Sequence, residues 1–232
     1  MDKKISIILS TYNEATVIEK TINKIFKHVK NVEIIIVDDN SPDGTFEKVK
    51  KINNPNLKIF YKKSRGLAAA FLSGLINSSG DVVGWIDSNM DSLVIKLPDM
   101  IDKLDNNDIV VLSRYVKGGK DERTGLRILS SQTVNWLCRL ILGKKIKDYT
   151  SGIFVMRRSV LNAVVPIGYG HGEFFIEFLY KAKQKGIKIL EVPFTQPPDK
   201  EGTTKTSPNI FKFIYLGLFY VIRIILSIVR RN

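Results

Sequence analysis

Five short runs of β-branched and aliphatic residues recur along the first half of the chain: Ile5–Ser10, Val32–Asp38, Leu57–Tyr61, Val82–Asp87 and Ile109–Ser113. Near-continuous apolar runs of this length read as strands covered on both faces. Between them, Ile18, Ile22, Ile25, Phe26 and Val29 recur at three- and four-residue spacing, as do Leu67, Phe71, Leu72 and Leu75. That spacing belongs to helices that bury one face. Strand alternating with helix predicts an α/β fold, a mostly parallel central sheet flanked by crossover helices. Ligands of such sheets bind beyond the carboxyl ends of the strands, so the residues just after each run carry the functional argument.

The second half is less regular. A loop rich in Gly and charge (Tyr115–Gly125) precedes an amphipathic stretch from Ser131 to Leu142. A strand over Ile153–Arg157, a helix near Glu173–Gln184 and a strand over Ile187–Val192 are expected next, then a polar, proline-containing loop from Pro193 to Pro208. From Asn209 the chain turns strongly apolar. We expect residues 1–208 to form a catalytic domain and 209–232 an amphipathic, membrane-associating helix. Lys212 and Arg223 interrupt the apolar tail, and a central arginine costs about 2.5–3.5 kcal/mol in a spanning helix. At helical spacing Lys212, Phe219, Arg223, Ser227 and Arg230 fall near one stripe, which favours a helix lying in the membrane interface over one that spans. An ordinary core or oligomer-contact helix is the alternative.

Composition narrows the partners. Thirty-six Lys and Arg against 23 Asp and Glu give a net charge of +13 over 232 residues, which favours anionic ligands or an acidic lipid surface. One cysteine, Cys138, and two histidines, His28 and His171, exclude a disulfide and a Cys- or His-rich metal site. The short N-terminal apolar run has no room for an export signal, so the expected location is the cytoplasmic face of a membrane, peripheral or monotopic. Nucleic acid is not expected, because the carboxylate clusters after the strands would repel a phosphate backbone.

Those clusters have distinct chemistry. Ser10-Thr-Tyr-Asn-Glu14 follows the first strand, and Val37-Asp-Asp-Asn-Ser-Pro-Asp-Gly-Thr45 ends the second. Asp38 and Asp39 can accept hydrogen bonds from ribose hydroxyls and base N–H groups, and Tyr12 can stack on a base. Asn13 and Asp43 read as helix caps, with Pro42-Asp-Gly44 as a turn. Asp87-Ser-Asn-Met-Asp91 follows the fourth strand. If extended, it brings Asp87, Asn89 and Asp91 to one side, a set suited to Mg²⁺ or Mn²⁺. A calcium loop fails, since Ser92 and Pro98 stand where it needs Gly and Glu. Arg65-Gly66 sits where a strand's loop meets a helix, a place that receives phosphate. Arg114, after the fifth strand, and Arg127, at a helix entry, form a second basic group able to clamp phosphate. Gly168-Tyr-Gly-His-Gly172 follows no convincing strand and is a weak phosphate signal.

Taken together, these motifs resemble the dolichyl-phosphate mannose synthase group of the family-2 glycosyltransferases, which have the GT-A fold. Pro-Thr-Tyr-Asn-Glu is present with Ser10 in place of proline, Val-Asp-Asp-x-Ser-x-Asp-Gly-Thr is intact, and Arg-Gly-Leu-x-x-Ala stands at Arg65–Ala70. Ser-Arg-Tyr-Val-x-Gly-Gly at Ser113–Gly119 matches the polyprenyl-phosphate branch. Asp148-Tyr-Thr-Ser-Gly152 and Glu191-Val-Pro193 match later elements. The resemblance implies transfer of a hexose, GDP-mannose being the favoured donor and UDP-glucose an alternative, to a polyprenyl or dolichyl phosphate with inversion. It implies nucleotide-sugar binding by Thr11, Tyr12, Glu14, Asp38, Asp39, Arg65, Gly66 and Lys205. Arg114, Arg127 and Ser131 would bind the acceptor phosphate, and Asp87, Asn89 and Asp91 the Mg²⁺ or Mn²⁺; the catalytic set is Asp87, Asp91, Arg114 and Arg127. Two departures stand out: Asn89 replaces the usual central Asp of the metal motif, and Asp199 replaces an arginine of the late loop. They leave an inactive, membrane-associated relative as an alternative reading.

Overall fold

The expected strands and helices alternate as β1 (Ile5–Thr11), α1 (Ile18–His28), β2 (Val32–Asp38), α2 (Thr45–Lys50), β3 (Leu57–Tyr61), α3 (Leu67–Ile76) and β4 (Val82–Trp85). A 3-10 turn over Asp91–Lys96 leads into α4 (Leu97–Asp102) and then β5 (Ile109–Ser113). The second half adds β6 (Lys120–Asp121), α5 (Gly125–Leu142), β7 (Phe154–Arg157), α6 (Phe174–Gln184), β8 (Ile189–Pro193), β9 (Thr195–Gln196) and α7 (Ile210–Val229). The computed structural model describes residues 3–63, 66–123, 125–198 and 210–230. Arg65 and Lys205, and with them Asp199, lie outside the described residues.

The main sheet has the order β3-β2-β1-β4-β7-β5-β8. All neighbours run parallel except β7, which is antiparallel to both β4 and β5. Register sets Thr11 opposite Asp38, and Asp38 opposite Tyr61, at one carboxyl edge. Side chains alternate between the faces of each strand. Ile7, Leu9, Ile34 and Ile36 therefore pack on α1 and α4, through Ile18, Ile22, Ile25, Leu97 and Met100. Ile8, Ile35, Val83 and Trp85 face the other way, onto Phe71 of α3 and Phe174, Phe175 and Phe178 of α6. Two helical layers thus clamp one sheet.

The tail forms a helix, as expected. Over its described side chains α7 packs on α5 and α6, burying Ile224 in the second core. Arg223 and Ser227, members of the polar stripe, are buried against the protein. The Arg223 guanidinium pairs with Glu177 at 2.9 Å and Glu173 at 3.8 Å, which removes the need for it to reach solvent. Val221, Ile222, Ile225 and Val229 are exposed instead. Among the described residues, no helix is long and apolar enough to cross a membrane.

At the amino edge of the sheet, buried Glu33 staples three strands. Its Oε1 accepts from Ser6 Oγ at 2.7 Å and Ser79 N at 2.6 Å, and its Oε2 pairs with Lys58 Nζ at 3.0 Å. Burial pushes the Glu33 carboxyl up, but donation from Ser6, Ser79 and Lys58 outweighs it and holds the pKa at about 2. A depressed pKa contributes stability that is present above the unfolded value and is lost as pH falls toward the folded one. Glu33→Gln is expected to cost about 3 kcal/mol at pH 7 and roughly half that at pH 3. Urea unfolding at the two pH values measures it; an equal cost at both would exclude the ionised carboxylate as the source.

Candidate active site

The polar clusters do converge on the carboxyl edge, but the structure sorts them into those that brace the site and those that face it. Asp38 is a brace. It is fully buried, its Oδ2 accepting from Thr11 Oγ1 at 2.7 Å and Ser41 Oγ at 2.6 Å, and its Oδ1 from Ser41 N at 2.9 Å. With these donors, Asp38 and Thr11 hold the turn at the edge where nucleotide contact is expected of them. Asn40, at φ 61°, swings the chain so that the adjacent carboxylate points elsewhere. Asp39 instead meets Lys62 Nζ at 3.1 Å and Gly66 N at 2.9 Å, where β3 hands over to α3. Its backbone N–H donates to Thr11 O at 2.9 Å.

The two flanking loops are stitched together. Ala15 N donates to Asp43 Oδ2 at 3.0 Å, and Thr45 N and Oγ1 donate to Asp43 Oδ1 at 3.1 and 2.5 Å. Thr45 Oγ1 in turn accepts from Glu14 N at 2.9 Å. Burial raises the Asp43 carboxyl, while Thr45 and Ala15 outweigh it and hold it below the usual range. Asp43 therefore holds the expected turn, but neither it nor Asn13 is the expected helix cap: α1 begins after Val17 and α2 after Gly44, without a side-chain cap bond. Tyr12 is half-buried and Glu14 buried at the same edge. Tyr61, half exposed at the end of β3, donates to Asn40 Oδ1 at 2.7 Å. Neither Tyr61 nor Lys62 was expected in the site from the sequence; their place at the end of a strand was the available signal.

The expected cation site is not assembled. β4 stops at Trp85, and Met90 N donates to Asp87 O at 3.0 Å, so the segment turns where an extended run was expected. Asp91 opens the 3-10 turn and faces α1, paired with Lys24 at 2.6 Å and Lys20 at 3.1 Å. Burial raises its carboxyl, and the two lysines outweigh that and hold it below its ordinary range. Among the described residues no group of three carboxylate, histidine or cysteine side chains is gathered for a metal. The set Asp87, Asn89 and Asp91 does not fit Mg²⁺ or Mn²⁺ as placed.

On the far side, Arg114 is a hub. Its five N–H groups all find acceptors: Asp148 Oδ2 (2.8 Å) and Oδ1 (2.8 Å), Thr150 Oγ1 (2.7 Å), Ser131 Oγ (3.0 Å) and Asp121 Oδ2 (3.4 Å). Burial lowers the Arg114 pKa, and Asp148 more than restores it, so the guanidinium stays charged. The donors of Arg114, expected to hold phosphate, are engaged by protein acceptors in this structure. The relay continues outward. Glu191 on β8 accepts from Lys147 N at 2.7 Å and Asp148 N at 2.8 Å, and Asn135 of α5 donates to Thr150 Oγ1 and accepts from Tyr149 N. The late motifs are explained as one scaffold that fixes Ser131 and the first turn of α5, where half-buried Arg127 stands. Ser151 Oγ, beside this relay, is buried with no hydrogen-bond partner among the described residues.

Comparison with known proteins now identifies the class. Residues 6–165 match the glycosyl transferase family 2 profile, and the chain belongs to that family. It is 36% identical over 222 residues to a dolichol-phosphate mannosyltransferase of Pyrococcus furiosus, covering 91% of this chain and 62% of the relative. The chain thus spans less than two thirds of that relative's length. It is 30% identical over 215 residues to a polyprenol monophosphomannose synthase of Mycolicibacterium smegmatis, covering 87% of this chain and 80% of the relative. In fold it is similar to glucosyl-3-phosphoglycerate synthase from Mycobacterium tuberculosis, solved with UDP (TM-score 0.76, 19% identity, 100% of this chain and 82% of that one). The same enzyme has been solved with Mn²⁺, UDP and glucosyl-3-phosphoglycerate. The fold is GT-A, as the motifs implied.

The hub generates a prediction. Asp148→Asn keeps the shape but removes the closer, bidentate counter-charge of a buried guanidinium, leaving Asp121 at 3.4 Å, and is expected to cost about 3–5 kcal/mol. Chemical denaturation checks it. A cost under about 1 kcal/mol would return Arg114 to the pool of groups available to ligand.

Proposed function

We propose that this protein transfers a hexose, with mannose from GDP-mannose favoured, to a polyprenyl phosphate at a membrane surface, with inversion at the anomeric carbon. The observation that carries the reading is Asp39, turned to the site edge between Lys62 and the entry to α3 while Asp38 braces the turn behind it. It is supported by likeness to relatives named for mannosyl transfer to dolichol and polyprenol phosphates. A UDP-sugar is the second donor, favoured by the relative of the same fold that binds UDP.

In this reading Asp39 accepts from the nucleoside, with Tyr12 and Tyr61 offering aromatic faces and Glu14 lining the edge. Lys62 and Gly66 face the diphosphate, the positive end of α3 adds to them, and Arg65 and Lys205 keep the diphosphate role their motifs imply. The acceptor phosphate meets Arg127 and Ser131, held in place by Arg114. A phosphomonoester is largely ionised near neutral pH, so no base has to take a proton from it. One acceptor oxygen bonds to the anomeric carbon as that carbon's bond to the diphosphate oxygen breaks, and the nucleoside diphosphate departs. In this reading the chain's own cations and amides face the charge that develops on the leaving diphosphate.

Attachment to the membrane is supported by two helices that expose apolar side chains on their outer faces. α5 buries Asn135 and exposes Leu129, Trp136 and Leu140; α7 buries Arg223 and exposes Val221, Ile222 and Ile225. The helices pack on each other, and an apolar outer face beside a basic protein suits anionic lipid. Residues 209–232 then act together with α5, not as an independent anchor.

Two outcomes are expected. Asp39→Asn should weaken GDP binding by about tenfold or more with the fold intact, and the wild-type chain should transfer radiolabelled sugar from GDP-mannose to a short polyprenyl phosphate. Absence of both nucleotide binding and transfer, with GDP and UDP sugars alike, would overturn the reading. Trp136→Glu combined with Ile225→Glu should lower co-sedimentation with phosphatidylglycerol vesicles by about tenfold, while nucleotide affinity stays unchanged. Unchanged sedimentation would remove this face from the membrane.

A further inference from the structure

The Gly168-Tyr-Gly-His-Gly172 segment carries no phosphate motif, yet three helices converge on it. From α7, Arg223 Nη2 donates to Tyr169 O at 2.8 Å, while Nη1 donates to Glu177 Oε2 at 2.9 Å. Glu173, paired with Arg223 through Oε1, accepts from His171 N at 2.9 Å through Oε2. The three charged side chains are buried, at 4% exposure for Glu173, 1% for Glu177 and 4% for Arg223.

Two glycines make the approach possible. Gly170 has φ +106°, and a Cβ there would lie 2.8 Å from Arg223 Nη2. A Cβ at Gly172 would lie 2.8 Å from Tyr220 Oη, also on α7. On its opposite side the segment touches the donor edge: Gly170 O accepts from Ala68 N at 3.3 Å, in the first turn of α3. Two residues earlier, Gly66 N donates to Asp39 Oδ2 at 2.9 Å. The exposed His171 imidazole lies within electrostatic reach of both Asp39 and Glu173.

We propose that Arg223 is a positioning residue for the donor site. Through Arg223 and Tyr220, α7 sets the 168–172 segment; that segment holds the start of α3, and the start of α3 holds Asp39. The coupling is stiff because undocking α7 would leave Glu173 and Glu177 buried without their shared cation. The proposal rests on Asp39 belonging to the donor site. It gives α7 a task besides meeting lipid: the donor edge takes its final shape only when the C-terminal helix is seated.

The test uses the full chain and two readouts. In Arg223→Met, amide exchange at Gly66 and Ala68 should quicken by about tenfold, while amides of β1 and β2 keep their protection. GDP affinity should fall by about tenfold, and affinity for a short polyprenyl phosphate should change by less than about twofold. Arg223→Lys should recover part of both losses. Gly172→Ala should reproduce them by pushing on Tyr220, and adding Tyr220→Phe should reverse that effect; this pair decides the matter if Arg223→Met does not fold. Unchanged exchange at Gly66 and Ala68 in a folded Arg223→Met or Gly172→Ala chain would overturn the proposal. So would equal losses of donor and acceptor affinity. A wild-type chain that binds neither GDP nor UDP would overturn the donor-site reading instead, and exchange alone would then judge the coupling.

Discussion

A buried guanidinium must find acceptors for all its N–H groups or the fold is strongly penalised. Arg114, just after β5, meets that demand with groups drawn from β6, from α5 and from the Asp148 loop. The loop is held in turn by Glu191 of β8. Few arrangements of these segments satisfy every donor, so the ion pair selects one geometry for the side of the site opposite Asp39. Arg114, expected to clamp phosphate, also fixes Ser131 at the first turns of α5.

The second constraint is that α5 and α7 each carry a polar side chain into the protein and apolar side chains outward. A helix against a protein core ordinarily buries apolar side chains and exposes polar ones. Here Asn135 and Arg223 face inward because each has partners there: Thr150 and Tyr149 for one, Glu173, Glu177 and Tyr169 for the other. Apolar residues are left outside. A surface of that kind suits a solvent other than water, and it lies on helices that also reach the two sides of the site. Arg223 meets the 168–172 segment, which in turn meets the start of α3, and Ser131 of α5 accepts from Arg114.

Much was legible in the sequence. The runs at Ile5, Val32, Leu57 and Ile109 fold as strands, and the spaced residues at Ile18 and Leu67 as helices, because periodicity records which faces are buried. The placement of the polar clusters at one edge followed from parallel strands sharing a direction. The turn role of Asp43 was local, set by neighbours a few residues away, and was readable for that reason.

What only the tertiary structure decided was the direction each polar side chain takes. Asp38 and Asp39 are adjacent and chemically alike, yet one is spent on Thr11 and Ser41 and the other faces Lys62 and Gly66. Asp91 turns to Lys20 and Lys24 of α1 instead of joining Asp87, and Arg114 closes on Asp148, 34 residues away. Arg223 closes on Glu177, 46 residues away. Sequence periodicity reports burial, which is a property of one element at a time. Pairing of buried charges depends on which distant elements the sheet order brings within about 3 Å of each other, and hydrogen bonds tolerate little deviation from that distance. The chain's pattern determined the layers and the edge where chemistry is placed; the packing of those layers decided which charges brace the site and which remain to meet a ligand.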